Sequence, residues 1–394
     1  MNIPILSLVA RHRSFRRHLV SLASSVAVVF TSTAKIAAAE TKWGDLFVAH
    51  IMTKWPDANT ITHKGWEYEN SIVLHGMEKI YMRGGDRRIL QYIRAFADHY
   101  ISEDGSVAMK TQEKNLDRIQ PGMLLLFLHE ETGEAKYKKA ATFVIEELQK
   151  YPRNELGGFW HKGSFPNEMW TDGIYMAEPF AVKFAAQTGS HTGAYGEAFT
   201  QMSLVREKTK DAATGLSLHA WDADRNAFWA DPDTGRSPHI WSRGMGWYAM
   251  ALVDVLEFMP KTHPFFDDLH AILGEIVEGL KKTQSPTGMW YQVLDLPERD
   301  KNWPEMSGTS MFAFTIKKGI RLGLVDPGYN EVATKAWKGM QEYLRIVNGE
   351  PQISQVVRGM GVQKNFDDYI GQKRLTNSPH GLCAVLFAAS EMEY

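Results

Sequence analysis

The sequence predicts an all-α protein, an (α/α)6 toroid of six helical hairpins, and three observations predict it. From Trp43 onward one helical period follows another, with almost no strand-like alternation. Helical hairpins then recur at roughly 60 residues, a spacing typical of closed or solenoidal arrays. Finally, three long connections end alike, in Trp170-Thr171-Asp172, Trp241-Ser242-Arg243 and Trp303-Pro304-Glu305, and each enters an apolar helix.

In chain order, helices are predicted over 43–55, 66–83, 86–102, 118–132, 134–151, 173–188, 193–213, 244–258, 264–283, 308–322, 327–347 and 378–392. The stripe Ala141, Val144, Ile145 and Leu148, with Glu146, Glu147 and Lys150 turned outward, is a clear amphipathic case. Short loops at Glu131-Thr132-Gly133, Gln187-Thr188-Gly189, Met259-Pro260 and Leu322-Gly323-Leu324 join each apolar helix to a more polar one. Longer connections between hairpins are rich in glycine and aromatics: Gly157-Gly158-Phe159-Trp160-His161, Asn226-Ala227-Phe228-Trp229 and Gly288-Met289-Trp290-Tyr291. In a closed ring these all lie at one end, where a site is expected.

The first 39 residues stand apart. Arg11, Arg13, Arg16 and Arg17 precede an apolar run from Leu19 to Phe30, and Ala37-Ala38-Ala39 offers a cleavage site. Residues 1–39 therefore read as a secretory signal peptide and 40–394 as the catalytic domain, exported to a periplasm or the medium. Sec export fits better than the twin-arginine route that Arg16-Arg17 suggests, and an uncleaved anchor is the alternative. Removing the five basic residues of this segment leaves 39 Lys and Arg against 46 acids, a net charge of about −7. Such a balance argues against nucleic acid as a partner, and no later segment is apolar enough to span a membrane. Cys383 is the only cysteine, which excludes an intrachain disulfide and leaves thiol chemistry without a motif. His-Glu-x-x-His and phosphate-loop patterns are absent, so no metal and no cofactor is expected. The oligomeric state is not readable.

Asp172 begins a helix beside Trp170. It is either an N-cap or a proton donor whose aromatic neighbour raises its pKa. Asp117 lies at the equivalent end of an earlier hairpin; it caps the next helix, pairs with Arg118, or serves as a second carboxylate. His161, Lys162, His219 and Arg243 are candidates for holding an anion. Arg243 is singled out because Trp241 and Trp247 flank it: a guanidinium forks onto a carboxylate and an indole stacks on a sugar. Trp66, Trp160, Trp229, Trp290 and Trp303 are further platforms or plain packing residues.

Trp170-Thr171-Asp172-Gly173-Ile174-Tyr175-Met176, His219-Ala220-Trp221-Asp222 and Trp241-Ser242-Arg243-Gly244-Met245-Gly246-Trp247 together resemble the family 105 glycoside hydrolases. These are the unsaturated rhamnogalacturonyl hydrolases, relatives of the unsaturated glucuronyl hydrolases, and the likeness runs from about Trp43 to the C-terminus. The resemblance implies Asp172 as general acid/base and Asp117 as second acid. It also implies His161, His219, Trp241, Arg243 and Trp247 as substrate-pocket positions, with Lys162 and Trp170 as weaker transfers. The implied partner is an anionic oligosaccharide whose terminal 4,5-unsaturated uronic acid is released by hydration of its double bond. A sugar epimerase or isomerase on an α/α barrel, or a non-catalytic sugar-binding protein, are the other readings.

Overall fold

Inner helices of the chain are buried almost all round and outer ones on a single face, which is what two concentric rings demand. The computed structural model describes residues 42–62 and 64–394; the segment over 1–39, expected to be a signal peptide, lies outside the described residues. Thirteen helices run among the described residues: α1 (Trp43–Lys54), α2 (Tyr68–Gly84), α3 (Arg87–Tyr100), α4 (Gly122–Thr132), α5 (Ala135–Gln149), α6 (Thr171–Thr188), α7 (Gly193–Thr209), α8 (Ser242–Phe258), α9 (Phe266–Thr283), α10 (Met306–Arg321), α11 (Asn330–Gln341), α12 (Phe366–Ile370) and α13 (Pro379–Met392).

Helices α2, α4, α6, α8, α10 and α13 form the inner ring, each packed on the next, and α13 closes it by packing on α2. In α8 every residue from Ser242 to Leu256 is buried, whereas α3 buries only Ile89, Leu90, Tyr92, Ile93, Phe96 and Ala97. Outer helices α3, α5, α7, α9 and α11 each follow their inner partner. The sixth pair is made from the two chain ends, α1 lying against α13. The toroid expected from the repeat is therefore present, with one hairpin split across the termini. Inner helices all begin at one face. The basic side chains Lys79, Arg83, Lys183, Lys318 and Arg321 gather at their far ends, paired with Glu78, Glu257 and Glu391.

Two stretches depart from the predicted helices. The helix over 327–347 stops at Gln341, and an antiparallel hairpin follows, Leu344–Val347 (β3) on Glu350–Ile353 (β4). Its turn is Asn348-Gly349, both at positive φ (52° and 81°), the geometry of a two-residue hairpin turn. The helix over 193–213 ends at Thr209. Among the connections, Glu168–Trp170 (β1) pairs antiparallel with Ala220–Asp222 (β2), and Val356–Val357 (β5) with Arg374–Leu375 (β6).

Candidate active site

The β1–β2 ladder brings the first two motifs together. Trp170 faces Ala220 in register, and the next residue, Thr171, donates both its N–H and its hydroxyl to the His219 carbonyl at 3.0 Å. Asp172 is thereby fixed in the first turn of α6, with His219 Nε2 at 3.2 Å from its Oδ2. The approach is off the hydrogen-bond direction, so neither atom has an aligned partner. Asp172 is not a helix cap: the N-cap position is Trp170, and no side chain caps this helix. Close packing of α6 on α8 is permitted by Gly244, where a Cβ would stand 3.2 Å from Asp172 Oδ2 and 2.9 Å from Thr171 Oγ1.

A second pairing builds the opposite wall. The segment around Asn115 bridges Lys162, and the Leu116 N–H donates to the His161 carbonyl at 3.2 Å. Asp117 sits in a 3-10 turn with its Oδ2 2.8 Å from Lys162 Nζ and its Oδ1 4.0 Å from His161 Nε2. Its partner is Lys162 and not Arg118, whose guanidinium goes to Glu67 and Glu113. The His161 ring stacks on Trp170 at 4.3 Å and 14°, and Phe165 stacks on Trp170 at 5.1 Å and 17°.

Asp117, His161, Lys162, Trp170 and Asp172 all line one open cavity of about 490 Å³. Sequence reasoning missed Lys64, Glu67, Tyr68, Glu69, Phe165, Met176 and the segment Arg358-Gly359-Met360-Gly361, which also line it, with Asn115. The Gly359-Met360-Gly361 run is a visible glycine signal that matches no phosphate-loop pattern. Tyr369 was also missed; its hydroxyl lies 2.9 Å from His219 Nδ1.

Four expected substrate groups are placed elsewhere; one is His219, 1% exposed, which stands against Asp172 and does not line the cavity. Arg243, 1% exposed, lies behind the cavity wall. Its Nη1 donates to Val357 O at 2.7 Å and Ser307 Oγ at 3.3 Å, and its Nη2 to Arg358 O at 2.7 Å. The expectation that it forks a substrate carboxylate is corrected: it holds the backbone that carries Arg358 to the cavity. Glu305, at the equivalent repeat position, helps from the other side by accepting the Val357 N–H at 3.1 Å. Trp247 is a core residue, its ring 4.7 Å from Tyr175. Trp241 lies behind His219, its ring centroid 4.6 Å away, and donates to Gln292. Neither indole is free to meet a sugar. Trp66, Trp229, Trp290 and Trp303 are likewise buried. Asp222 accepts the backbone N–H groups of Asp224, Asn226 and Ala227, so it organises its loop.

The electrostatics also correct one expectation. Burial pushes the Asp172 carboxyl up, but the contact and charge of His219, with His161 and Arg243 adding to them, outweigh it and hold it below the usual carboxylate range. The raised value expected from its aromatic neighbour is absent in the free site. Burial drives His161 down to about 4, against the pull of Asp117, so its ring is neutral at neutral pH. The inner-helix N-termini that open on this face add a positive field, which favours an anionic ligand.

A sugar-sized cavity lined by Asp117, Asp172, Glu67 and Glu69, by Lys64, Lys162 and Arg358, and by stacked aromatic rings, at the loop end of a helical ring, is what the chain offers for comparison. The profile of Glycosyl Hydrolase Family 88 matches residues 43–394. A solved family 105 glycoside hydrolase from C. acetobutylicum superposes with a TM-score of 0.84 at 34% identity, covering 90% of this chain and 99% of that one. The chain belongs to these glycoside hydrolases, families 88 and 105. Among curated relatives, Unsaturated rhamnogalacturonyl hydrolase YesR of Bacillus subtilis is 24% identical over 332 residues, 82% of this chain and 89% of its own length. Protein Atu3128 of Agrobacterium fabrum is 38% identical over 154 residues, 38% of this chain, a match that spans 63% of that relative's length. Family membership accounts for the twin-ring scaffold and for the loop-end cavity that holds Asp172.

Proposed function

We propose that this family 88/105 glycoside hydrolase releases the terminal 4,5-unsaturated uronic acid from lyase-generated oligosaccharides, the rhamnogalacturonan disaccharide first among them. One observation carries the reading. The Asp172 carboxyl, anchored at the start of α6 and 3.2 Å from His219 Nε2, opens on the cavity it shares with Asp117, Lys162 and the Trp170–Phe165 stack.

The substrate is a vinyl ether bearing a carboxylate. Asp172 delivers a proton to C4, and positive charge develops at C5 and the ring oxygen. Water adds at C5 as the same carboxylate takes back a proton, with Asp117 beside it. The hemiketal opens and expels the remaining sugar, so no enzyme nucleophile is required. A carboxyl held low in the free site becomes a donor once substrate arrives, because a second carboxylate and the exclusion of water both disfavour its charge. Buried Tyr369 keeps its hydroxyl proton, burial pushing its pKa far up. Its oxygen lies 2.9 Å from His219 Nδ1, on the far side of that ring from Asp172.

Lys162 and Arg358, which line the cavity with Lys64, take on this reading the role toward the substrate carboxylate that was expected of Arg243. His161 is held neutral and His219 sits behind Asp172, which leaves an epimerase reading without a charged histidine lining the cavity. The exported destination implied by residues 1–39 is part of the proposal, and N-terminal sequencing of the mature protein tests it.

Incubation with lyase-generated disaccharides tests the activity, followed by the ultraviolet absorbance of the conjugated enol carboxylate. Wild type should abolish the absorbance, and Asp172→Asn should slow its loss by roughly 10²–10⁴-fold, the usual worth of a positioned proton donor. In heavy water the product should carry deuterium at C4. Full turnover by Asp172→Asn, or turnover of saturated sugars alone, would sink the reading.

A further inference from the structure

On the core side of His161, beneath the substrate cavity, lies a second and far smaller cavity of about 10 Å³. That is room for one water, whose centre needs about 10–15 Å³. Most of its lining is apolar. The polar exceptions are His161, Glu178 and Gln201.

Gln201 is fully engaged: its Oε1 accepts the Phe159 N–H at 2.9 Å, and its Nε2 donates to Gly157 O and to Glu197. The other two are not. Glu178, on α6 and 1% exposed, has no hydrogen-bond partner for either carboxyl oxygen. His161, 4% exposed, has none for Nδ1. Two unpartnered buried polar groups on one water-sized cavity call for a shared partner, since each alone would cost about 1–3 kcal/mol. The backbone is shaped for the arrangement at Gly173, where a Cβ would stand 3.0 Å from His161 Nδ1.

Both groups are neutral in this setting. Burial pushes the Glu178 carboxyl well above its ordinary range; Glu197 adds to the effect and Arg153 opposes it. Burial holds the His161 imidazole uncharged, with Asp117 and Asp172 opposing and Lys162 and His219 adding. A neutral carboxylic acid donates one O–H, and a neutral imidazole offers one lone pair.

We propose that Glu178 is a positioning residue which, through one water in this cavity, occupies the Nδ1 lone pair of His161 and fixes its Nε2–H tautomer. The carboxyl O–H donates to the water and the water donates to Nδ1. Nε2–H then faces Asp117 Oδ1 across 4.0 Å, a gap that a water or substrate hydroxyl closes. The opposite tautomer would turn a bare lone pair toward that carboxylate. The catalytic consequence rests on the function proposed above; the tautomer does not.

Ring-nitrogen NMR of ¹⁵N-histidine-labelled protein, assigned with His161→Gln, reads the tautomer directly. Wild type and Glu178→Gln should show a protonated Nε2 and an unprotonated Nδ1. In Glu178→Leu the two resonances should move toward a mixture. On the unsaturated disaccharide, Glu178→Leu should lose about tenfold in kcat with KM within about threefold, while Glu178→Gln stays near wild type. A protonated Nδ1 in wild type overturns the proposal, and so does a Glu178→Leu protein with wild-type ring shifts. If Glu178→Leu does not fold, the wild-type and Glu178→Gln spectra still decide. Absence of turnover by wild type on any disaccharide would remove the functional reading while leaving the ring spectra to judge the tautomer.

Discussion

Replacing Arg243 by lysine separates a substrate anchor from a structural clamp. In the structure the guanidinium forks onto two carbonyls at 2.7 Å, those of Val357 and Arg358, and stacks 4.5 Å above the Trp241 ring. A lysine keeps the charge, but as a single point of donors it serves one of those carbonyls. Losing one charge-assisted bond and leaving a buried acceptor unpaired costs about 2–3 kcal/mol. Urea unfolding followed by circular dichroism should show that loss as a lowered midpoint at unchanged slope. KM for the unsaturated disaccharide should rise modestly, because residues 358–361 form part of the cavity wall. An anchor would behave in the opposite way, with stability intact and about a tenfold or greater rise in KM for a lost bidentate carboxylate contact. That second pattern would refute the clamp.

Three further outcomes follow from the same geometry. His219 holds the Asp172 carboxyl low, so His219→Gln should let it stay protonated to higher pH and move the alkaline limb of kcat/KM upward; an unmoved or lowered limb contradicts the assignment. Phe165→Ala removes one layer of the aromatic stack beside Trp170. It should raise KM roughly 2- to 10-fold with kcat nearly unchanged, from the 0.5–1.5 kcal/mol that such contacts contribute. For stability, His161 titrates near 4 when folded and near 6.5 when unfolded. The unfolded chain therefore binds the proton first as pH falls through that window, and stability is lost on acidification. His161→Gln should remove up to roughly 3 kcal/mol of that dependence between pH 7 and 4, measured by denaturation at several pH values.

The helices were legible because an inner ring wrapped by an outer one needs both continuous apolar helices and one-sided ones, and both patterns stand in the sequence. The hairpin after Gln341 was legible in principle. Asn348-Gly349 is a strong two-residue turn signal, but the preceding helical period ran into Leu344 and carried the assignment past it. Site residues were found where they sit next to a repeat motif, as Asp172, His161 and Trp170 do. Arg358, Tyr68 and Tyr369 were not found, because Arg358 and Tyr68 reach the cavity, and Tyr369 the back of His219, from segments remote in the chain with no motif of their own. The misassignment of Arg243 has a definite cause. An arginine among tryptophans has the same sequence signature whether it faces a ligand or a backbone turn, and the Val357–Arg358 carbonyls that decide between these are remote in the chain.

Asp172, the proposed proton donor, poses the sharper chemical question, since a carboxyl held below the usual range is a base at neutral pH. On the proposed mechanism the answer lies in its surroundings. His219 Nε2 stands 3.2 Å behind the carboxylate, and the cavity in front is open to solvent until an anion enters. The entering carboxylate displaces water and sets a like charge against Asp172, two changes that both drive proton uptake. The donor is thus charged with its proton only when there is substrate to receive it. After C4 is protonated, the same His219 contact stabilises the regenerated carboxylate at the moment it is needed to accept a proton from water. A site whose acid were high from the start would gain the first step and lose the second.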